Sequence, residues 1–264
     1  SEAAKCVNLF DLAVISFEFG IRLLKGNGWT DQYEVMLKLH GACAEMQMSV
    51  GNMTRMEEVI DEVLLHAREP LDKSHVLQTR VYNWGVLDRG DDAIELGLET
   101  LQQLGVHLPR RWFSVYIARE ALRARALLKG KSDEQLMRLP TMKNDLQYAV
   151  LQMLNVMYLS CLIQRPTLAA VVSLKLINIT LKHGNSVLSC IAFSAYAMFL
   201  VAAGDTEGAI RYGELSLKLL ESCGSIEYLP RVYAGVYGVI YSWRFPSRDA
   251  LDNLLQGYYV GLQT

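Results

Sequence analysis

Three stretches of the chain share one grammar: a glycine turn, a polar cap, then an amphipathic helix. Gly204-Asp205-Thr206-Glu207-Gly208-Ala209-Ile210 opens one of them, and Ala209, Ile210, Leu215, Leu217, Leu219 and Leu220 recur there at helical spacing. Gly90-Asp91-Asp92-Ala93-Ile94 and Gly51-Asn52-Met53-Thr54 open the other two. In each the glycine closes the helix before it, while a residue such as Asp205 caps the helix after it. Marking the residue that closes each first helix gives Gly51, Gly90, Gly130, Arg165, Gly204 and Arg244, spaced 39, 40, 35, 39 and 40 residues apart. A period near 39 residues is long for one helix and short for a domain; it suits two helices of about 16 residues and two turns. The spacing predicts an all-α fold of antiparallel helix hairpins, stacked as a right-handed superhelix, with residues 1–264 forming a single α-solenoid.

In chain order the pattern predicts a helix over 3–25, ended by Gly26-Asn27-Gly28, as the second helix of a truncated repeat. The hairpins that follow pair 31–50 with 54–67, 74–89 with 91–104, 110–129 with a stunted 132–138, 143–164 with 166–182, 187–203 with 206–222, and 227–243 with 247–262. Thr54-Arg55-Met56-Glu57 and Ser132-Asp133-Glu134-Gln135 have the spacing of capping boxes, and Pro166 suits a first helical turn. No stretch alternates with a period of two for long enough to form a sheet.

With 51% apolar and 20% charged residues, the chain is too hydrophobic to be disordered and can bury a long core. A formal charge of −2 supplies no basic field to release counterions from phosphates, so no nucleic-acid partner is expected. The local cluster Arg110, Arg111, Arg119, Arg123, Arg125, Lys129 and Lys131 reads as a solvated helix face. Five cysteines without a Cys-x-x-Cys pair suit buried thiols in a reducing, cytoplasmic setting. Residues 146–164 and 183–204 are uncharged and long enough to cross a bilayer. Gln147, Gln152, Asn155, Ser160, Asn185, Ser186, Ser189 and Ser194 interrupt them, however, and the repeat needs both as packed helices, so no membrane span is expected. The start at Ser1-Glu2-Ala3, without an initiator methionine, points to a piece of a longer protein.

Catalytic signatures are lacking. His40 and Cys43 share a helix face at a spacing that would suit a metal pair or a nucleophile and base, but no third ligand or orienting acid accompanies them, so core packing is expected. There is no His-Glu-x-x-His pair and no phosphate-cradling glycine-rich lysine loop. Glu57, Glu58, Asp61 and Glu62 complement a helix dipole without a cation. The segment is therefore expected to be no enzyme and to hold no metal or cofactor.

Gly204-Asp205, with Ala209 five residues after the glycine and Ala197 seven before it, resembles a degenerate tetratricopeptide repeat. Gly51 with Ala44 matches in the same way, whereas Asn83 occupies the small-residue position before Gly90. More specifically, the chain is similar to the helical-repeat region that follows the AAA-type (STAND-class) ATPase module of multidomain signalling proteins, in which a Ser/Thr-kinase-like domain often precedes and GAF and histidine-kinase or cyclase domains often follow. Four motifs carry the resemblance: Trp29-x3-Tyr33-x3-Leu37-x2-His40-x4-Glu45; Ala93-Ile94-Glu95-x-Gly97-Leu98 leading to Leu104-Gly105-x3-Pro109; Leu139-Pro140-x-Met142; and His183-Gly184-x-Ser186. The resemblance implies a regulatory segment whose parent is a protein kinase or ATPase.

In a stacked array the first helix of each pair forms the inner wall. The candidate binding residues are therefore the polar and aromatic ones on those helices: Arg80, Asn83, Trp84, Tyr116, Arg119, Arg123, Asn155, Tyr158, Tyr196, Tyr237 and Tyr241. Tyr233, Tyr237 and Tyr241 recur every four residues and form one stripe. Two functions fit. One is a protein-interaction module holding a peptide, a neighbouring domain or a second copy of the chain as a homodimer. The other is a small-molecule sensor controlling an adjacent ATPase or kinase, its ligand held against Tyr158 or Tyr196.

Overall fold

The computed structural model describes residues 2–24 and 26–263, with side chains from residue 10 onward except that of Ser247. Lys25, the expected end of the first helix, and the Cys6 side chain lie outside the described residues. Among the described residues there are fourteen α-helices, short π and 3-10 segments, and no strand, so the all-α expectation holds. The chain divides into two compact units, Ser1–His107 and Leu108–Thr264.

The first unit contains α1 (Glu2–Leu23), α2 (Gly28–Asp31), α3 (Tyr33–Ser49), α4 (Met53–His66), α5 (Pro70–Val86) and α6 (Gly90–Gln103). Helix α1 packs on α3, α3 on α4 and α5, and α5 on α6. Ile21, Cys43, Ala44, Met56, Val59, Ile60, Val63 and Val76 form its core. A Cβ on Gly41 would collide with the His75 ring, so glycine there permits α3 and α5 to approach closely. The cap of α4 is Asn52, whose Oδ1 accepts from the Arg55 amide at 3.3 Å. Thr54 lies inside that helix instead of capping it. Before α6 the left-handed residue is Asp88, at φ 59°, and Gly90 is already helical. Gly51, Gly130 and Gly204 do adopt positive φ where the period marks them.

The second unit runs through α7 (Phe113–Leu128), α8 (Asp133–Met137), α9 (Asp145–Gln164), α10 (Pro166–His183), α11 (Ser189–Ala202), α12 (Thr206–Cys223), α13 (Leu229–Tyr233) and α14 (Leu251–Gly261). A π-helical segment, Ala234–Ile240, follows α13 directly. The hairpins α9–α10 and α11–α12 form as the period predicts, with α10 also packed on α11. The expected pairing of α7 with the stunted helix does not: α7 packs on α10, while α8, five residues long, touches α12. A helix of that length cannot cover the apolar face of a sixteen-residue neighbour, so α7 buries Ala124 and Leu128 against Leu174, Ile177 and Leu181. Ser132 and Gln135 cap α8 reciprocally, as their spacing predicts.

Of the two apolar stretches, the one at 183–204 is broken by Gly184, leaving α11 with fourteen residues, too few to span a bilayer as a helix. Helix α9 is long and apolar enough to cross one; in this structure just over half of its most apolar window is buried, and it packs on α10.

Two of the sequence motifs meet at one place. Gly184, at φ 104° and ψ 177°, lets the 183–186 turn lie against the 139–142 connection. The Asn185 amide donates to the Pro140 carbonyl at 2.8 Å, and the Met142 amide donates to the Asn185 carbonyl at 2.8 Å. This forms an isolated parallel bridge between Thr141 and Asn185. The Asn185 side chain completes the clasp by donating to the carbonyls of Leu136 and Met137 at 2.9 and 3.0 Å, which ties the end of α8 to the α10–α11 turn.

Candidate functional site

In the first unit the Trp29–Tyr33–His40–Glu45 motif becomes a bracket between helices. Trp29 stacks on His66 with ring centroids 4.6 Å apart, lies 4.9 Å from His40, and aims Nε1 at Glu62. Tyr33 donates to Asp72, and its ring carries the Arg68 guanidinium at 3.9 Å. Glu45 accepts from His75 at 3.2 Å, and that contact raises the His75 pKa above its ordinary value against the opposing pull of burial. These contacts fix α2 and α3 on α4 and α5. The motif is thus structural in its geometry.

Beside it lies a cleft of about 780 Å³ bordered by Glu18, Arg22, Trp29, Gln47, Arg55 and Glu62. Arg55 donates to both oxygens of Glu18 at 2.7 and 3.1 Å, which holds the Glu18 carboxyl below its ordinary range. Gln47 Nε2 adds a donor to Glu18 at 3.2 Å. Cys43, fully buried, has its thiol pushed up to about 11, first by burial and then by the Glu18 charge. It therefore stays protonated at neutral pH. His40 contacts the Met36 carbonyl through Nδ1 at 2.8 Å, and its Nε2 lies 3.4 Å from Glu62 Oε1. Cys161 and Cys190 are likewise pushed to about 12 by burial. Among the described residues no three His, Cys, Asp or Glu side chains gather as metal ligands.

The candidate wall residues separate by helix. On α5, Arg80 is consumed by Glu57 and Asp61 of α4, at 2.6 Å each, and Asn83 is buried. Trp84 is half-buried under the Arg89 guanidinium. On α9, Asn155 is buried and receives Arg231 of α13 through its side-chain and backbone oxygens, at 2.8 and 2.7 Å. Tyr158 is buried with its hydroxyl 3.9 Å from Met198 Sδ. Tyr237 and Tyr241, half-buried, continue an edge-to-face ladder from Tyr233 to Phe245 with centroids 5.0–5.1 Å apart, so the stripe exists.

Only α7 turns its candidates outward. Tyr116 sits half-buried beneath Arg119, while Arg119 and Arg123 are exposed. They share a face with Trp112, Val115 and Leu122, which are 83%, 69% and 65% exposed. Trp112 itself adopts a left-handed backbone at φ 59° immediately before the helix, a strained conformation for a bulky residue. Trp112 was not among the sequence candidates. The helix expected over 110–129 placed Trp112 inside it, whereas α7 begins only at Phe113.

Tyr196 lies elsewhere, in the floor of a second cleft of about 570 Å³ formed where the C-terminal end of α7 faces α11 and α12. Arg125, Lys129, Lys131, Arg211 and Tyr212 also border it.

No family model matches the chain, and no curated protein or solved structure is significantly similar to it.

Proposed function

We propose that the chain is a non-catalytic, protein-binding segment of a tetratricopeptide-like helical-repeat array, a regulatory part of an intracellular signalling protein. The consecutive hairpins α3–α4, α5–α6, α9–α10 and α11–α12, and the positive-φ glycines at Gly51, Gly130 and Gly204, support the array reading with its period near 39 residues and right-handed stacking. Helix α1 exposes Leu12, Ile15, Phe19 and Leu23 on one face, the kind of surface on which a neighbouring hairpin stacks in such an array. The resemblance to repeats that follow STAND-class ATPases supplies the signalling context.

The exposed face of α7 carries the binding reading. Trp112, Val115 and Leu122 place large apolar groups in water along one side of a helix, with Arg119 and Arg123 between them. A hydrophobic strip interleaved with arginines matches an amphipathic helix or extended peptide that alternates apolar anchors with acidic residues. Selection of displayed peptides on the purified chain tests this. The enriched binders should be acidic and apolar, and Trp112→Ala should weaken them by about tenfold or more, as expected for a central tryptophan anchor. Binders of no shared chemistry, indifferent to Trp112→Ala and Leu122→Ala, would overturn the reading; so would turnover by the purified chain.

A further inference from the structure

The second cleft has chemistry that partner binding on α7 does not use. Tyr196 is only 3% exposed as a residue and borders the cleft. Burial, with the nearby Tyr212 as a smaller cause, pushes this phenol up to about 12, so it keeps its proton and remains a donor at any physiological pH. Tyr212 packs beside it with ring centroids 5.4 Å apart and the two rings inclined at 57°, which lines the floor with aromatic carbon.

The rim is cationic. Arg211 is committed: it donates to Asp133 at 2.9 Å and to the Lys131 carbonyl at 3.0 Å. Lys131 caps the Leu127 carbonyl at 2.6 Å. Arg125 and Lys129, by contrast, are exposed and have no ion pair among the described residues. Asp205 is the acid on the rim, and it is engaged by the Gly208 amide as the cap of α12. The cleft thus combines two tyrosine rings, a phenol that keeps its proton, and two cations without an ion pair among the described residues, in a volume of small-ligand size.

We propose that this cleft binds a small organic oxyanion, a molecule with a phosphate or carboxylate head and a compact apolar body. Arg125 and Lys129 attract the head, the Tyr196 hydroxyl donates to it, and the Tyr196–Tyr212 floor packs against the body. The site is independent of the α7 surface and stands whether or not that surface binds a protein.

Isothermal titration of the whole chain with phenyl phosphate, benzoate and, as a neutral control, benzyl alcohol tests the proposal. At least one anion should bind and the alcohol should not; whichever anion binds tighter identifies the head group. Tyr196→Phe removes only the hydroxyl and should raise the Kd by about tenfold, the scale of a lost hydrogen bond to a charged group. Arg125→Gln combined with Lys129→Gln, both on the surface, should weaken binding and flatten its salt dependence. This second variant decides the matter if Tyr196→Phe perturbs the fold by circular dichroism. Absence of binding by either anion at about 10 mM, a scale weaker than any specific small-ligand site, would overturn the proposal. Equal binding of the alcohol, or affinity unchanged in both variants, would do the same.

Discussion

Gly184→Ala is the most exacting test of how the second unit is held together. The residue adopts φ 104° and ψ 177°, a region that is essentially glycine-only, and a Cβ there would lie inside contact distance of the Pro140 carbonyl oxygen. Alanine can be accommodated only by rotating the turn away, which abandons the two backbone hydrogen bonds that Asn185 makes with the 139–142 segment. Backbone strain of about 1–3 kcal/mol and two hydrogen bonds of about 1 kcal/mol each sum to a loss of about 3–5 kcal/mol. That is a large part of the total stability of an ordinary domain. Urea unfolding followed by circular dichroism should show the midpoint falling with little change in slope. Hydrogen exchange adds a local readout, because the Asn185 and Met142 amides should lose protection before the rest of the unit does. Asn185→Ala separates the two causes: it leaves the backbone free to bridge and removes only the side-chain bonds to Leu136 and Met137, for about 1–3 kcal/mol. A Gly184→Ala protein within about 0.5 kcal/mol of the parent, a change typical of unconstrained surface sites, with both amides still protected, would refute the reasoning.

Two further outcomes follow from buried contacts. Glu120, buried on α7, accepts from Asn178 Nδ2 of α10 at 3.0 Å through both its carboxylate and its backbone carbonyl. Arg119 also donates to the Glu120 carboxylate at 3.0 Å, so Asn178→Leu leaves it one partner short and should cost about 1–2 kcal/mol; adding Glu120→Leu should recover part of the loss, and strictly additive costs in urea unfolding would reject the coupling. His75, raised above 6.5 by Glu45, should titrate in NMR above that value and fall back in Glu45→Gln. Because the folded form binds its proton more tightly, the pair's stabilisation is complete below about pH 6.5 and fades as pH rises through the raised pKa; stability that instead improved over that range would contradict the assignment.

The helices were legible in the sequence because their punctuation is local. Asp205 bonding to the Gly208 amide and Ser132 pairing with Gln135 act within one turn, and Pro166 begins α10 where its missing amide costs nothing. Which helix lies against which was less legible, since it depends on length as much as on pattern. A repeat grammar assigns α7 to the helix after it, yet the five residues of α8 cannot cover α7, and the pairing passes to α10. The clasp shows the same limit. Leu139-Pro140-x-Met142 and His183-Gly184-x-Ser186 each stand out as motifs, but nothing in either spacing says that they join across the forty-odd residues between them.

The candidate wall residues were selected by residue type and helix order, and periodicity reports only which side chains share a face, not whether another helix covers it. That covering is what divides them. Asn155, Tyr158 and Tyr196 follow the same rule as Tyr116, Arg119 and Arg123, but those three lie on the covered sides of α9 and α11, while Arg119 and Arg123 lie on a side of α7 that stays in water. The shortened α8 thus has two consequences. It leaves the Trp112–Leu122 face of α7 uncovered, and it opens the α7 terminus toward Tyr196, so both proposed binding regions trace to one truncated helix. Lengthening α8 toward the size of α6 or α12 should therefore occlude at least one of them. A lengthened variant that folds and retains both peptide and anion binding unchanged would separate the sites from this cause.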